Sequence, residues 1–216
     1  MAEIIDIFDA NLRHLGTMDR VEAHRKGEWH QTFHCWIVNL AIEYGAVLFQ
    51  LRSSTIANFP NLLDVSAAGH LEAGEKVEEG IREVSEELGI PVKISQLHPL
   101  GCRVEVADQT NGQRNREYQS VYLFHLDQPL SEYKPDPGEV TGLFWLPIET
   151  GLKLFASALP AVEISGIHYD QRSGRWLNES RIVKMSDFVP RIQQYYLTVL
   201  IMSERLRDGR VPLGIS

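Results

Sequence analysis

Residues 69–90 read GHLEAGEKVEEGIREVSEELGI, and this stretch decides the fold. Its apolar residues recur at intervals of four, three and four, which is the spacing of one buried stripe on an α-helix; they are Val77, Ile81, Val84 and Leu88. Gly89 follows directly, at the position where many helices end. The pattern therefore predicts one helix from Val77 to Leu88.

Three glutamates share the other side of this predicted helix. At roughly 100° per residue, Glu83, Glu86 and Glu87 fall within about 100° of one another. Like charges at these spacings repel each other, whereas Mg²⁺ seeks carboxylate oxygens. Such a face is often plain solvated surface, but Gly69 nearby would let the backbone approach a metal or an anion, and Arg82 could orient a glutamate. A metal site is the favoured interpretation.

The same stretch resembles the Nudix box. The box ends in Arg, Glu, apolar, any, Glu, Glu, any, Gly, apolar, and residues 82–90 match every fixed position. There is one departure. The box usually has seven residues between its first glutamate and its arginine, whereas the segment Lys76 to Ile81, between Glu75 and Arg82, has only six. This deletion keeps the helical glutamates in register but leaves the position of Glu75 open.

The resemblance implies a fold and a reaction. The fold would be a Nudix-type α/β/α sandwich with a mixed β-sheet, of the α/β (α+β) class. The reaction would be hydrolysis of a diphosphate linkage in a nucleoside diphosphate derivative or a similar small diphosphate, with Mg²⁺ or Mn²⁺ as cofactor. Carried over by position, Glu83, Glu86, Glu87 and the backbone carbonyl of Gly69 would bind the metal.

The catalytic candidates follow from the same resemblance. They are Glu86, Glu83, Arg82, which would hold a glutamate in place, and Glu117. The general base would be a box glutamate or one outside the box, for which Glu117 and Glu139 are the candidates. Plausible phosphate contacts are arginines, which pair well with phosphate oxygens; these are Arg52 and Arg103, with Arg114 and Arg116 as further candidates.

The segment from Ile5 to Val38 is similar to the Nudix subgroup that includes isopentenyl-diphosphate isomerase. In that enzyme histidines and glutamates bind a metal, and the matching positions here are His24, His30, His70 and Glu117, with Asn115 in place of a further glutamate. These histidines could form a second metal site, although their spacing alone does not require one.

Ala68 weighs against isomerisation. It stands where the isomerase needs a cysteine to move protons at the carbon chain of its substrate, and a methyl group does no acid–base chemistry. Two alternatives to a hydrolase remain, namely an isomerase-like enzyme and a noncatalytic nucleotide-binding module. The intact box glutamates favour hydrolysis over both.

Composition limits the other functions. Hydrophobic residues make up 44% of the chain, enough for a sizeable core, and no apolar run approaches the roughly 20 residues of a membrane span. The net charge is −8 with dispersed basic residues, which disfavours a nucleic-acid polymer as partner. Because the N-terminus lacks the features of a secretory signal, we expect a cytoplasmic protein, with Cys35 and Cys102 reduced.

The remaining pattern predicts short strands and two later helices. The predicted strands include Thr32–Asn39, Ala46–Leu51 and Val140–Leu146, and residues 100–106 and 117–126 flank a turn at Asn111-Gly112. Helices are predicted from Pro147 to about Ala156 and from Met185 to Leu206. We therefore expect a Nudix domain over residues 1–150 and a helical extension over 151–216, which packs on the same domain or forms a homodimer.

Overall fold

The computed structural model describes residues 3–109 and 112–215. The strands are β1 (Ile4–Phe8), β2 (His14–Asp19), β3 (His30–Asn39), β4 (Ala46–Arg52), β5 (Leu63–Asp64), β6 (Ala67–His70), β7 (Leu97–Asp108), β8 (Arg114–His125), β9 (Val140–Pro147), β10 (Val162–Asp170) and β11 (Arg175–Val183). The helices are α1 (Arg20–Lys26), α2 (Arg82–Leu88), α3 (Ile148–Phe155) and α4 (Tyr195–Arg207).

The main sheet has the order β11-β10-β9-β4-β3-β8-β7, with β5 paired to β4 and β6 paired to β3. Strands β3 and β8 run parallel, whereas the other pairs are antiparallel, so the predicted mixed sheet is confirmed. Strands β1 and β2 form a separate hairpin. Asn111, half of the turn predicted between β7 and β8, lies outside the described residues.

Strand β3 divides the interior into two layers, because successive side chains of a strand point to opposite faces. Phe33 and Ile37 pack in a cluster with Val84 of α2. Trp36 packs on the other face, in a cluster with Tyr195 of α4. The sheet is therefore covered on both sides, as an α/β/α sandwich requires.

The predicted helix from Val77 to Leu88 is only partly α-helical. Residues Val77–Ile81 form a 3₁₀ helix, and the α-helix starts at Arg82. A 3₁₀ helix rises about 2.0 Å per residue, compared with about 1.5 Å for an α-helix. Because each residue of the 3₁₀ helix advances further along the axis, a segment that is one residue short still spans the distance to Arg82.

The chain after residue 150 is not purely helical, which corrects the expectation of a helical extension. Strands β10 and β11 form a hairpin that adds to the main sheet beside β9. Gly166 permits this pairing, since a Cβ there would lie 1.9 Å from the carbonyl oxygen of Leu143. The division into a domain over 1–150 and an extension over 151–216 stays a prediction.

The long helix predicted from Met185 to Leu206 is also corrected. Met185–Asp187 form a short 3₁₀ turn, and α4 begins only at Tyr195. Pro190 lies between them, and a proline disfavours helical backbone in the residue before it and supplies no N–H. Among the described residues, no helix is long and apolar enough to cross a membrane.

Helix α4 is part of the core rather than an appendage, and one pair of substitutions tests this. Leu200 is fully buried, whereas the neighbouring Ile201 is 39% exposed. Leu200→Ala should lower the free energy of unfolding by about 2–5 kcal/mol, because it leaves a cavity. Ile201→Ala should cost under about 1 kcal/mol. Urea unfolding of both variants measures this, and equal small losses would contradict the packing described here.

Candidate active site

Two box glutamates lie against the end of strand β6 with little solvent exposure. The side chain of Glu83 is 12% exposed, and Glu87 is buried. A Cβ on Gly69 would lie 2.0 Å from the carboxyl carbon of Glu83, so only glycine leaves room for this carboxylate. Glu87 accepts a hydrogen bond from the backbone N–H of Ala68, at 3.0 Å, and lies 3.5 Å from the side-chain nitrogen of Gln50. Strand β6 therefore fixes both carboxylates.

Arg82 joins the parts of the box. Its guanidinium donates to both carboxylate oxygens of Glu75, at 2.8 and 3.1 Å, and to the carbonyl oxygen of His70, at 3.0 Å. It also pairs with Glu83 at 2.7 Å and with Glu86 at 2.9 Å. Glu75 thus has a defined position despite the deletion after it. Glu86 differs from the other two box glutamates, since its side chain is 57% exposed.

The carboxylates of this cluster need a compensating positive charge to remain ionised. Burial raises the pKa of Glu83 to about 7, and the neighbouring carboxylates of Glu86 and Glu139 add to the rise while Arg82 opposes it. Burial, with Glu83 next in importance, raises the pKa of Glu87 well above its usual value. Carboxylates held together out of water are costly unless a positive charge compensates them. A hard divalent cation with oxygen ligands fits this donor set.

Glu139 and Glu117, the two base candidates outside the box, occupy different places. Glu139 acts on the pKa of both Glu83 and Glu87, and its own pKa is raised by loss of solvation and by Asp136 and Glu86. Glu117 instead belongs to a group with three histidines. Of the two, only Glu139 is grouped with the box carboxylates.

The second group consists of His24, His30, His70 and Glu117. Their ligand atoms all lie within 4.8 Å of one another. The Nδ1 atom of His24 donates to the carbonyl of Arg20, at 2.8 Å, and that of His30 donates to the carbonyl of Glu28, at 2.9 Å. In both rings Nε2 therefore carries the lone pair that a metal ligand needs.

The hydrogen bonding and protonation of these imidazole rings also suit metal binding. The Nε2 atom of His30 is buried and has no hydrogen-bond partner among the described residues. Burial lowers the pKa of His30 and of His70, which keeps both imidazoles neutral at pH 7. Asn115 accepts a hydrogen bond from Gln109 at 3.3 Å instead of completing this group. The residues present fit a second cation that accepts nitrogen ligands.

The predicted phosphate-contact arginines have separate environments. Arg52 pairs with Asp64 at 3.3 Å and acts on the pKa of Glu87 and Glu139. Arg103 is buried, pairs with Glu105 and lies over the ring of Tyr195, 4.4 Å from its centroid. Its charge is thus neutralised within the core.

Arg114 and Arg116 complete this set. The side chain of Arg114 lies against Gly27, where an added Cβ would meet it at 3.2 Å. Arg116 pairs with Asp108 at 2.7 Å.

The sequence did not indicate that Arg20 and Gln50 belong to the site. Arg20, the first residue of α1, lies 3.4 Å from Nδ1 of His70 and acts on the pKa of Glu139. Gln50 of β4 is buried beside Glu87. Neither residue belongs to a motif, because each reaches the site through the pairing of distant segments.

Comparison with known proteins agrees with this geometry. A family model described as the NUDIX domain matches residues 29–162. An uncharacterized Nudix hydrolase of Clostridium acetobutylicum is 35% identical over 198 residues, which cover 92% of this chain and 95% of that protein. An isopentenyl-diphosphate Delta-isomerase of Aliivibrio fischeri is 27% identical over 147 residues, 67% of this chain and 80% of that protein.

A solved structure is similar as well. The crystal structure of a Deinococcus radiodurans protein aligns with a TM-score of 0.56 and 26% identity, over 72% of this chain and 90% of that one. The matched region contains both carboxylates buried beside Gly69 and the arginine that joins the box. The chain therefore belongs to the Nudix family and is a Nudix hydrolase.

Proposed function

We propose that this hydrolase cleaves the diphosphate linkage of a nucleoside diphosphate derivative, or of a similar small diphosphate, with Mg²⁺ or Mn²⁺. The observation that carries the proposal is the burial of Glu83 and Glu87 against β6, where Gly69 leaves room for the carboxylate of Glu83. Two buried carboxylates with raised pKa values are stable as anions only beside a cation. A diphosphate brings further negative charge that the same cation would neutralise.

The residues of the box would have different roles, namely metal binding and the positioning of carboxylates. Glu83, Glu87 and the more exposed Glu86 would hold the metal, together with the Gly69 carbonyl, and Arg82 keeps Glu83 and Glu86 in place through its ion pairs. The bound metal would neutralise the diphosphate and lower the pKa of a water molecule that attacks phosphorus.

We assign the role of general base to Glu139. Its charge raises the pKa of Glu83, and loss of solvation raises its own pKa, the direction that favours accepting a proton. Glu86 is the alternative within the box. Glu117, in contrast, is grouped with the histidines.

We assign the phosphate contacts to two arginines, Arg20 and Arg52. Arg20 and Arg52 both lower the pKa of Glu139. Arg20 also lies 3.4 Å from Nδ1 of His70, the residue after Gly69, and Arg52 pairs with Asp64 at 3.3 Å. Arg20 is 43% exposed at its side chain and Arg52 is 21% exposed, which leaves both accessible to a ligand. Guanidinium groups bind phosphate oxygens through paired N–H donors.

The histidine group favours one further candidate function. His24, His30, His70 and Glu117 match positions that bind a metal in the isomerase-like subgroup, and the structure brings their ligand atoms together. An isomerase-like reaction on an isoprenoid diphosphate is therefore the second candidate. Ala68 weighs against it, since its methyl group cannot move a proton.

One prediction concerns the metal and Glu86. Phosphate release from a panel of nucleoside diphosphate derivatives, with a coupled phosphatase, should require Mg²⁺ or Mn²⁺ and stop when EDTA is added. Glu86→Gln should lower kcat/KM by about 10²–10⁴-fold, because a carboxylate at the metal is lost. Glu78→Gln is the matched control: Glu78 is exposed and lies just before α2, so its loss should leave kcat/KM unchanged.

The same assay separates the alternatives. Equal activity of Glu86→Gln and native protein would remove Glu86 from the mechanism. Absence of turnover on every member of the panel, combined with tight nucleotide binding, would favour the noncatalytic module.

A further prediction concerns isomerisation. Isopentenyl diphosphate incubated with the native chain and Mg²⁺ or Mn²⁺ should not be converted to dimethylallyl diphosphate, because Ala68 supplies no acid or base. Proton NMR of the mixture follows the double bond directly. Rearrangement without phosphate release would overturn the hydrolase assignment of this site in favour of the second candidate.

A further inference from the structure

The histidine group lies on a sheet face where polar residues are paired directly across three strands. Glu117 of β8 is opposite His30 of β3 on one side and opposite Glu105 of β7 on the other. Two positions further along β8, Gln119 is opposite Arg103 of β7. Residues directly opposite each other point to the same face of a sheet, and so do residues two apart on one strand. These five side chains therefore share one face.

Gln119 connects Glu117 to Arg103. Its amide nitrogen donates to Oε2 of Glu117 at 2.6 Å, and its amide oxygen accepts from Nη1 of Arg103 at 2.5 Å. All three side chains are buried. A guanidinium has only donors and an ionised carboxylate only acceptors, so the amide fits between them in one orientation. These two hydrogen bonds therefore fix which end of the Gln119 side chain faces Glu117.

The two carboxylate oxygens of Glu117 consequently have different surroundings. Oε2 accepts from Gln119, whereas Oε1 lies 4.0 Å from Nε2 of His30. That Nε2 atom is buried and has no hydrogen-bond partner among the described residues. The ligand atoms of His24 and His70 belong to the same group, all within 4.8 Å of one another. One oxygen of Glu117, rather than two, is thus available to this group.

Arg103, the residue that orients the amide of Gln119, is itself held on several sides. It pairs with Glu105, and its guanidinium carbon lies 4.4 Å from the centroid of the Tyr195 ring on α4. A cation over an aromatic face is attracted to it. The Tyr195 hydroxyl accepts from Nε1 of Trp36 at 2.9 Å and lies 3.0 Å from Nδ1 of His34. The support of Glu117 therefore extends through Arg103 into the core around α4.

We propose that Gln119 is a positioning residue, which holds Glu117 as a one-oxygen ligand for a transition-metal ion among the three histidines. Imidazole nitrogens with a carboxylate oxygen are a donor set that such ions accept. Hydrogen bonds to the ligands of a metal fix their direction, and loss of one typically lowers metal affinity about 10–100-fold. The inference rests on the second cation site described above and not on hydrolysis at the box.

The test measures binding of Co²⁺ to the full chain in the absence of substrate. Excess Mg²⁺ is present to occupy the box carboxylates, because Mg²⁺ takes oxygen ligands whereas Co²⁺ also accepts imidazole. The visible absorption of bound Co²⁺ reports both its affinity and the ligands around it. We expect the native chain to give a Co²⁺ spectrum that is lost in His30→Gln.

Two substitutions of Gln119 test its role. Gln119→Met keeps a long unbranched side chain at this buried position but removes both hydrogen bonds, and Gln119→Leu is a second apolar replacement. Both should weaken Co²⁺ binding about 10–100-fold and change the shape of the spectrum, because Glu117 is no longer held. Circular dichroism establishes that each variant is folded.

Ser203→Ala is the matched control. It also removes a buried side-chain hydrogen bond, from Ser203 Oγ to the carbonyl of Val199 at 2.9 Å, but Ser203 belongs to α4 and to neither metal group. Its Co²⁺ affinity and spectrum should equal those of the native chain.

Urea unfolding in EDTA separates a structural role of Gln119 from a positioning role. If the folded Gln119 variants lose stability but keep the native Co²⁺ affinity and spectrum, the proposal is overturned. Equal losses of affinity in Gln119→Met and Ser203→Ala would overturn it as well. So would a Co²⁺ spectrum that does not depend on His30, and that outcome would leave Mg²⁺-dependent hydrolysis at the box unaffected.

Discussion

The guanidinium group of Arg82 is the contact on which the rest of this structure depends. Through it the loop glutamate Glu75, the carbonyl of His70 at the end of β6, and the helical Glu83 and Glu86 share one cation. These groups come from three elements, namely the loop before the 3₁₀ segment, β6 and α2. Without the arginine, Glu83 would be a buried carboxylate with other carboxylates as neighbours, and the loop would lose its anchor on α2.

Strand β6 connects this contact to both candidate metal sites. Gly69 and His70 are adjacent in sequence, and their positions point to opposite faces of the strand. Gly69 makes room for Glu83, whereas His70 lies 3.3 Å from His24 in the histidine group. Ala68, one residue earlier, holds Glu87 through its backbone N–H. A displacement of this one strand would therefore alter both groups together.

The sequence was most informative where chemistry and periodicity agreed. The box glutamates and the strands β3, β4 and β9 follow from local patterns, and the structure contains them. The hairpin of β10 and β11 was not predicted, although Val162 and Ile164 alternate with polar residues at the start of β10.

Several side-chain contacts could not be predicted from residues close in sequence. Arg103 was predicted to contact phosphate, yet Glu105 neutralises its charge inside the core, and Arg103 also donates to Gln119 on the neighbouring strand β8. Arg20 and Gln50 reach the box only through the folded arrangement of strands. Such contacts between distant segments are set by topology, so a single sequence does not disclose them.

The 3₁₀ segment Val77–Ile81 has a consequence for how related chains are compared. A change of helix type absorbs the loss of one residue, so Glu75 and Arg82 still meet although their separation in sequence has changed. Motif searches that count a fixed number of residues between the two would pass over chains of this kind. Alignments of the family should therefore permit a gap at this turn and treat the ion pair, rather than the spacing, as the feature that is retained.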